Sequence, residues 1–210
     1  MSTMTLLQVI NEVKSMESNA MTDDANVRSG ILNAINEGLN VLYSDQPWWW
    51  AAESASITVN DDGNLVLPKE ATHILGVYDA SGEPLNARFR QKQLDYSVEI
   101  IAKGIKTYAV DGYDSATGFP LIKMNPSGSG SYTVRYQPAT EILTLDAELI
   151  PGPREVYHYT VWYARWIRLK TDEERINLRN EARASSEEHK SKLVRQNGAF
   201  ASSLSHCIGV

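Results

Sequence analysis

Two successive helical segments of opposite character limit what this chain can fold into. Val156–Leu169 reads VYHYTVWYARWIRL and is apolar or aromatic on nearly every side. Thr171–Gln196 reads TDEERINLRNEARASSEEHKSKLVRQ and is polar on nearly every side. A helix apolar all round needs cover on several faces, whereas a polar one needs ion pairing, a partner or solvent. Pro151-Gly152-Pro153 opens the pair, and proline is comfortable at the first helical turn. Thr171 and Glu174 are spaced as a capping box for the second helix, and Asn197-Gly198 is the expected stop.

The 210 residues fit one domain or two small ones and allow a sizeable core. No apolar run approaches the roughly 18 residues of a membrane span, and MSTMTLLQVI lacks the cationic start of a secretory signal. The single cysteine, Cys207, has no internal disulfide partner and reads as an incidental thiol. Residues 1–50 carry 2 basic and 6 acidic side chains, and residues 51–149 carry 8 and 13. Residues 150–196 carry 10 basic and 7 acidic groups, and the rest none. An acidic body argues against general nucleic-acid binding, which needs positive charge to neutralise phosphates. It suits like subunits ordered head to side, an acidic face meeting a basic helical end.

Leu6, Val9, Ile10 and Val13 recur at helical spacing, with Thr3 or Thr5 as cap. A second helix starts near Ala25 with Val27, Ile31, Ile35, Leu39 and Leu42 on one face, and it ends before Pro47. Trp48, Trp49 and Trp50 follow, and three adjacent side chains cannot share one face of a helix or strand. They fit a plug between two subdomains, a subunit contact or a carbohydrate platform. From Ser54 to Leu145 short strands alternate with turns such as Asp61-Asp62-Gly63-Asn64, where a hairpin leads into Leu65–Leu67. Gln91–Ile101 reads as a short helix within this region. Six or so strands at such spacing predict a small antiparallel sandwich or barrel.

No catalytic set emerges. His73, His158, His189 and His206 lie far apart, without HExxH or CxxC spacing, and a zinc site would need three separate elements and one thiol. Ser127-Gly128-Ser129-Gly130 lacks the P-loop lysine and precedes a strand, and no GxSxG elbow exists. The expectation is a non-enzyme with no cofactor and no metal. Arg175, Arg179 and Arg183 recur every four residues and line one face of the polar helix. They read as a solvated face laced with weak pairs, or as a row docking on an acidic neighbour.

The order of these features resembles a family. A helix pair and a tryptophan junction precede Leu65–Leu85 (LVLPKEATHILGVYDASGEPL) and Phe119–Tyr136, and then Tyr157–Trp166 leads to Asp172-Glu173-Glu174-Arg175. The chain is similar, over residues 5–196, to the head–tail adaptor (connector) proteins of tailed bacteriophages, the group that includes tail tubular protein A. The Trp48–Trp50 triplet and the segment after Gly198 have no counterpart in that pattern. The resemblance implies an α+β fold, an antiparallel four-helix bundle with a small antiparallel β barrel or sandwich inserted between helices 2 and 3. The corresponding division is 1–50 with 150–196 as the helical domain, 51–149 as the β domain and 197–210 as a C-terminal tail. It also implies a virion structural protein, made in the host cytoplasm and located in the neck. There about a dozen copies form a homo-oligomeric ring between the portal protein and the tail or nozzle protein. DNA passes through the channel without specific binding, and no membrane is involved. The alternative is a carbohydrate- or protein-binding β module of a tail or surface accessory protein. Candidate interface residues are Trp48, Trp49, Trp50, Arg175, Arg179, Arg183, Phe200 and Leu204.

Overall fold

Thr5 and Gln8 start the first helix by reciprocal capping. The Gln8 side chain accepts from the Thr5 N–H at 2.7 Å, and the Thr5 hydroxyl accepts from the Gln8 N–H at 3.3 Å. The computed structural model describes residues 4–16, 25–87, 106–125, 129–170 and 172–207, with side chains given up to residue 199. The helices are α1 (Leu6–Met16), α2 (Ala25–Asp45), α3 (Arg154–Arg168) and α4 (Ile176–Cys207). The strands are β1 (Glu53–Thr58), β2 (Asn64–Val66), β3 (Ala71–Tyr78), β4 (Asn86–Ala87), β5 (Thr107–Tyr113), β6 (Pro120–Asn125) and β7 (Ser131–Pro138). The helix expected over Gln91–Ile101 lies outside the described residues.

The chain divides into two compact units, Met1–Ala51 with Thr140–Val210, and Ala52–Ala139. In the first, α3 is the hub and packs against α1, α2 and α4. Its buried residues include Val156, Tyr157, Tyr159, Thr160, Val161, Tyr163 and Ala164, which lie all round the helix as its sequence demands. The apolar stripes of α1 (Leu6, Val9, Ile10, Val13) and α2 (Ile31, Ile35, Leu39, Leu42) complete this core. Gly38 permits the close approach of α2 to α3, since a Cβ there would lie 2.7 Å from the Tyr163 ring. Residues 140–149, expected with the strands, belong with the helices because Leu143 and Ile150 are buried in the helical core.

The second unit holds two open sheets. One is antiparallel in the order β1-β7-β3, and the other runs β2-β6-β5-β4 with a parallel β4–β5 edge. Leu65, Val77, Tyr108, Ile122, Val134 and Tyr136 bring strands of both sheets into one apolar cluster.

This arrangement corrects the expected four-helix bundle with a barrel or sandwich between helices 2 and 3. The helices gather round α3 instead of sharing an equal seam. At about 1.5 Å per residue, α1 is near 16 Å long and α4 near 48 Å, so they cannot flank a common core along their lengths. Among described side chains α4 fully buries only Ala182, Ser186 and Leu193, which is too little for a bundle face. The sheets stay open because β2 and β4 are three and two residues long, too short to close a ladder. The turn after Asn60 forms, with the Asn60 side chain accepting from the Asn64 N–H at 2.8 Å. It does not make a hairpin: β1 pairs with β7, and β2 pairs with β6.

The second helix also differs from expectation at both ends. Asp172 caps the 3-10 turn Glu173–Arg175 that leads into α4, accepting from the Glu174 N–H at 3.2 Å, and the capping box expected from Thr171 falls on a residue outside the described ones. The helix runs through Asn197-Gly198 to Cys207 instead of leaving a separate tail. A glycine stops a helix when it turns left-handed, and Gly198 is not among the positive-φ glycines. Asn197 is engaged elsewhere, as described below.

Candidate interaction surface

The tryptophans separate by function. Trp48 is fully buried, and its Nε1–H donates to the Leu42 carbonyl at 2.8 Å. Trp50 stacks on it at 4.7 Å between centroids and donates to the Tyr43 hydroxyl at 3.2 Å. Burial pushes the Tyr43 hydroxyl up to about 12, with the Trp50 hydrogen bond opposing it. Trp49 alone is exposed, edge-on to Trp50. Two inward rings and one outward ring cannot form a sugar-stacking platform.

The arginine row closes on its own chain. Arg175 pairs with Asp172 at 3.4 Å, Arg179 donates to the Lys170 carbonyl at 3.3 Å, and the Arg183 guanidinium lies 5.8 Å from the centre of the Trp166 ring. The row therefore fastens the start of α4 to the end of α3, where cations suit the carboxyl end of a helix. Farther along, Lys190 pairs with Asp45 at 3.2 Å. Asn197 then accepts from the Trp49 N–H at 3.1 Å and donates to the Pro47 carbonyl at 2.8 Å. Phe200 and Leu204 fall on the helical backbone beyond that point, and their side chains lie outside the described set.

The surface the sequence did not single out is the segment 141–149. Ile142, Leu145 and Leu149 are 75%, 66% and 54% exposed, and Leu7 on α1 is 38% exposed. Their backbone is held tightly. Asn36 accepts from the Leu143 N–H at 2.9 Å and donates to the Leu143 carbonyl at 3.0 Å. The Glu148 carboxylate accepts from the Thr144 and Leu145 N–H groups at 2.5 and 2.6 Å. Leu6 and Leu7 donate their N–H groups to the Glu148 and Asp146 carbonyls, and Ile150 donates to that of Met4. An Arg28–Asp146 ion pair adds a further tie. Large apolar side chains on a segment fixed in this way are prepaid in conformational entropy, the condition for a recognition surface. In the sequence they fall at i, i+3 and i+7, a helical spacing, yet the segment forms no helix, so the period did not mark them as a surface.

Between α3 and α4, the His158 and His189 rings stack at 5.2 Å. Burial holds His189 below its ordinary value, with Lys192 and His158 adding to the shift. Burial likewise raises Tyr157, which donates to Glu12, and raises Tyr163, which donates to Glu37 at 3.2 Å, to about 12. These pairs satisfy polar atoms inside the helical core. Among the described residues no group of three or more His, Cys, Asp or Glu could hold a metal ion, and no helix is long and apolar enough to cross a membrane.

Comparison with known proteins yields no matching family model and no matching curated relative.

Proposed function

We propose that this chain is a structural protein of a tailed-phage virion, a head–tail adaptor that assembles as a ring of like subunits between portal and tail. The observation that carries the reading is the rigid apolar display of Ile142, Leu145 and Leu149 on a helical unit whose chain is interrupted by the β unit. A monomer gains nothing by fixing large apolar side chains in water, whereas a subunit of an assembly does. The order of elements, a helix pair, then strands, then a second helix pair, is the order on which the resemblance to the adaptors rests, although the helices do not form the bundle that the resemblance implied. The net charge of −6 supports a channel role, because an acidic wall lets DNA pass without sticking. With Trp48 and Trp50 packed inward, the carbohydrate-binding alternative loses its platform.

The test is electron microscopy of purified virions with an antibody to this chain. Labelling of the neck is expected, and labelling confined to the capsid shell or the tail tip would overturn the assignment. Native mass measurement of the purified chain should show a closed multimer, alone or after mixing with portal rings.

A further inference from the structure

Few apolar side chains hold α4 on the hub helix. Among its described side chains only Ala182, Ser186 and Leu193 are buried, and most of its other ties are polar. His189 falls between Ser186 and Leu193, and its ring stacks on His158 of α3 with centroids 5.2 Å apart and planes 24° apart. We infer that this histidine pair is an acid-released latch, which seats the second half of α4 on α3 while both rings are neutral and lets it lift when His189 takes a proton. The latch belongs to a single chain and needs no second copy.

His189 Nδ1 is buried and has no hydrogen-bond partner. A neutral imidazole keeps one nitrogen unprotonated, so Nδ1 can sit there as an unused acceptor. The imidazolium donates from both nitrogens, and an unmet N–H on a buried cation costs far more than an unmet neutral acceptor. The groups around the ring do not offset that cost. Lys192 on α4 and His158 on α3 oppose the charge, whereas Glu188 and Glu155 favour it. Glu188 is exposed and already paired with Lys192 at 2.7 Å, and no carboxylate accepts from Nδ1. Behind His158 the Tyr157 ring stands edge-on at 5.3 Å, with its hydroxyl on Glu12 of α1. Glu187 and Asp45 of α2 act on Tyr159 at the same seam, and Asp45 is paired with Lys190 at 3.2 Å.

The strain of a protonated His189 is relieved locally. The ring reaches water once the helix from Ser186 to Asn197 lifts, and that stretch is retained by Leu193, the Lys190–Asp45 pair and the two bonds from Asn197 to Trp49 and Pro47. One buried side chain and a few partly exposed polar ties open far more cheaply than a whole core. The first half of α4 has separate fastenings in the Arg175–Asp172 pair, the Arg179 bond to Lys170 and the Arg183 contact with Trp166. The core between α1, α2 and α3 includes Leu193 as its one residue from α4, so it survives the lifting. Opening would strip Trp49 of its Asn197 tie and uncover the flank of α3 around His158.

Hydrogen exchange of the full chain at pH 7.5 and 5.5, read by mass spectrometry and corrected for the chemical rate at each pH, tests the latch. Protection of the amides in 186–197 should fall several-fold at pH 5.5. The ceiling is about tenfold, the most that one group with an ordinary value of 6.5 yields over that interval. Amides of α1 and of residues 31–42 in α2 should change less than about twofold. His189→Gln should abolish the loss in 186–197. Lys192→Gln, an exposed change that removes an opposing cation and frees Glu188, should shrink the loss without disturbing the fold. A loss shared equally by α1 and α4, or one of the same size in the wild type and both variants, would overturn the latch, as would full protection of 186–197 at pH 5.5.

Discussion

Gly38 sits where α2 meets the aromatic face of α3, and it is retained against the helix preference for a side chain. A Cβ at this position would lie 2.7 Å from Tyr163 Cδ1. The Tyr163 ring cannot easily yield, because it donates to Glu37 at 3.2 Å and packs edge-on to Trp166 at 5.3 Å. Gly30, two turns earlier, is different: a Cβ there would meet only Nη1 of Arg168, the far end of a flexible side chain. Alanine gains up to about 1 kcal/mol of helix propensity at either position. Overpacking costs about 1–3 kcal/mol where the neighbour is fixed. Gly38→Ala is therefore expected to lower stability by up to about 2 kcal/mol, and Gly30→Ala to raise it by a few tenths to about 1 kcal/mol. Urea unfolding followed by tryptophan fluorescence measures both, and equal stabilisation by the two would refute the packing argument.

At the scale of elements, the α3–α4 contact carries a pH dependence. His158 on α3 and His189 on α4 stack at 5.2 Å, and His189 is held below its ordinary value of 6.5, first by burial and then by Lys192 and His158. Glu188 and Glu155 oppose the shift. A base whose folded value is depressed takes up its proton more readily in the unfolded chain, so the unfolded state binds more protons between the two values. The stability it contributes is present above about pH 6.5 and is lost as the pH falls below that. Thermal unfolding at pH 7.5 and 5.5 should show a larger drop for the wild type than for His189→Gln. Equal drops would remove His189 as the cause.

The same contact shows what the sequence could and could not convey. The all-round apolar character of Val156–Leu169 announced a central helix, and the structure puts α3 at the hub. The spacing of Arg175, Arg179 and Arg183 announced a row, but spacing cannot say what the row faces; here it turns back onto Lys170 and Trp166. Asn197-Gly198 looked like a stop because both residues favour the left-handed turn, yet tertiary hydrogen bonds to Trp49 and Pro47 hold Asn197 in the helix. Strand existence was legible from alternation, but pairing was not. The Asn60–Asn64 turn joins two different sheets, and the partners of β1 and β2 lie more than fifty residues away in sequence. The apolar platform was not legible for a related reason: Ile142, Leu145 and Leu149 have helical spacing, i, i+3 and i+7, but their segment is held outside any helix by hydrogen bonds to Glu148, Asn36 and α1.

For the whole molecule, two separate cores imply two separable transitions. Leu39 is buried in the helical core and Ile122 in the strand core, and the two clusters share no residue. All five tryptophans, Trp48, Trp49, Trp50, Trp162 and Trp166, belong to the helical unit, so their fluorescence reports that unit alone. Truncating a fully buried isoleucine or leucine to alanine costs about 2–5 kcal/mol, enough to move a midpoint by many degrees. Leu39→Ala should lower the temperature at which tryptophan fluorescence changes. Ile122→Ala should leave that transition in place and instead advance the loss of tyrosine near-ultraviolet dichroism from Tyr108, Tyr132 and Tyr136, which lie in the strand core. If each substitution shifts both signals by the same amount, the units unfold as one and the division into two cores has no thermodynamic counterpart. If the signals separate, the β unit can be altered without unsettling the helical unit.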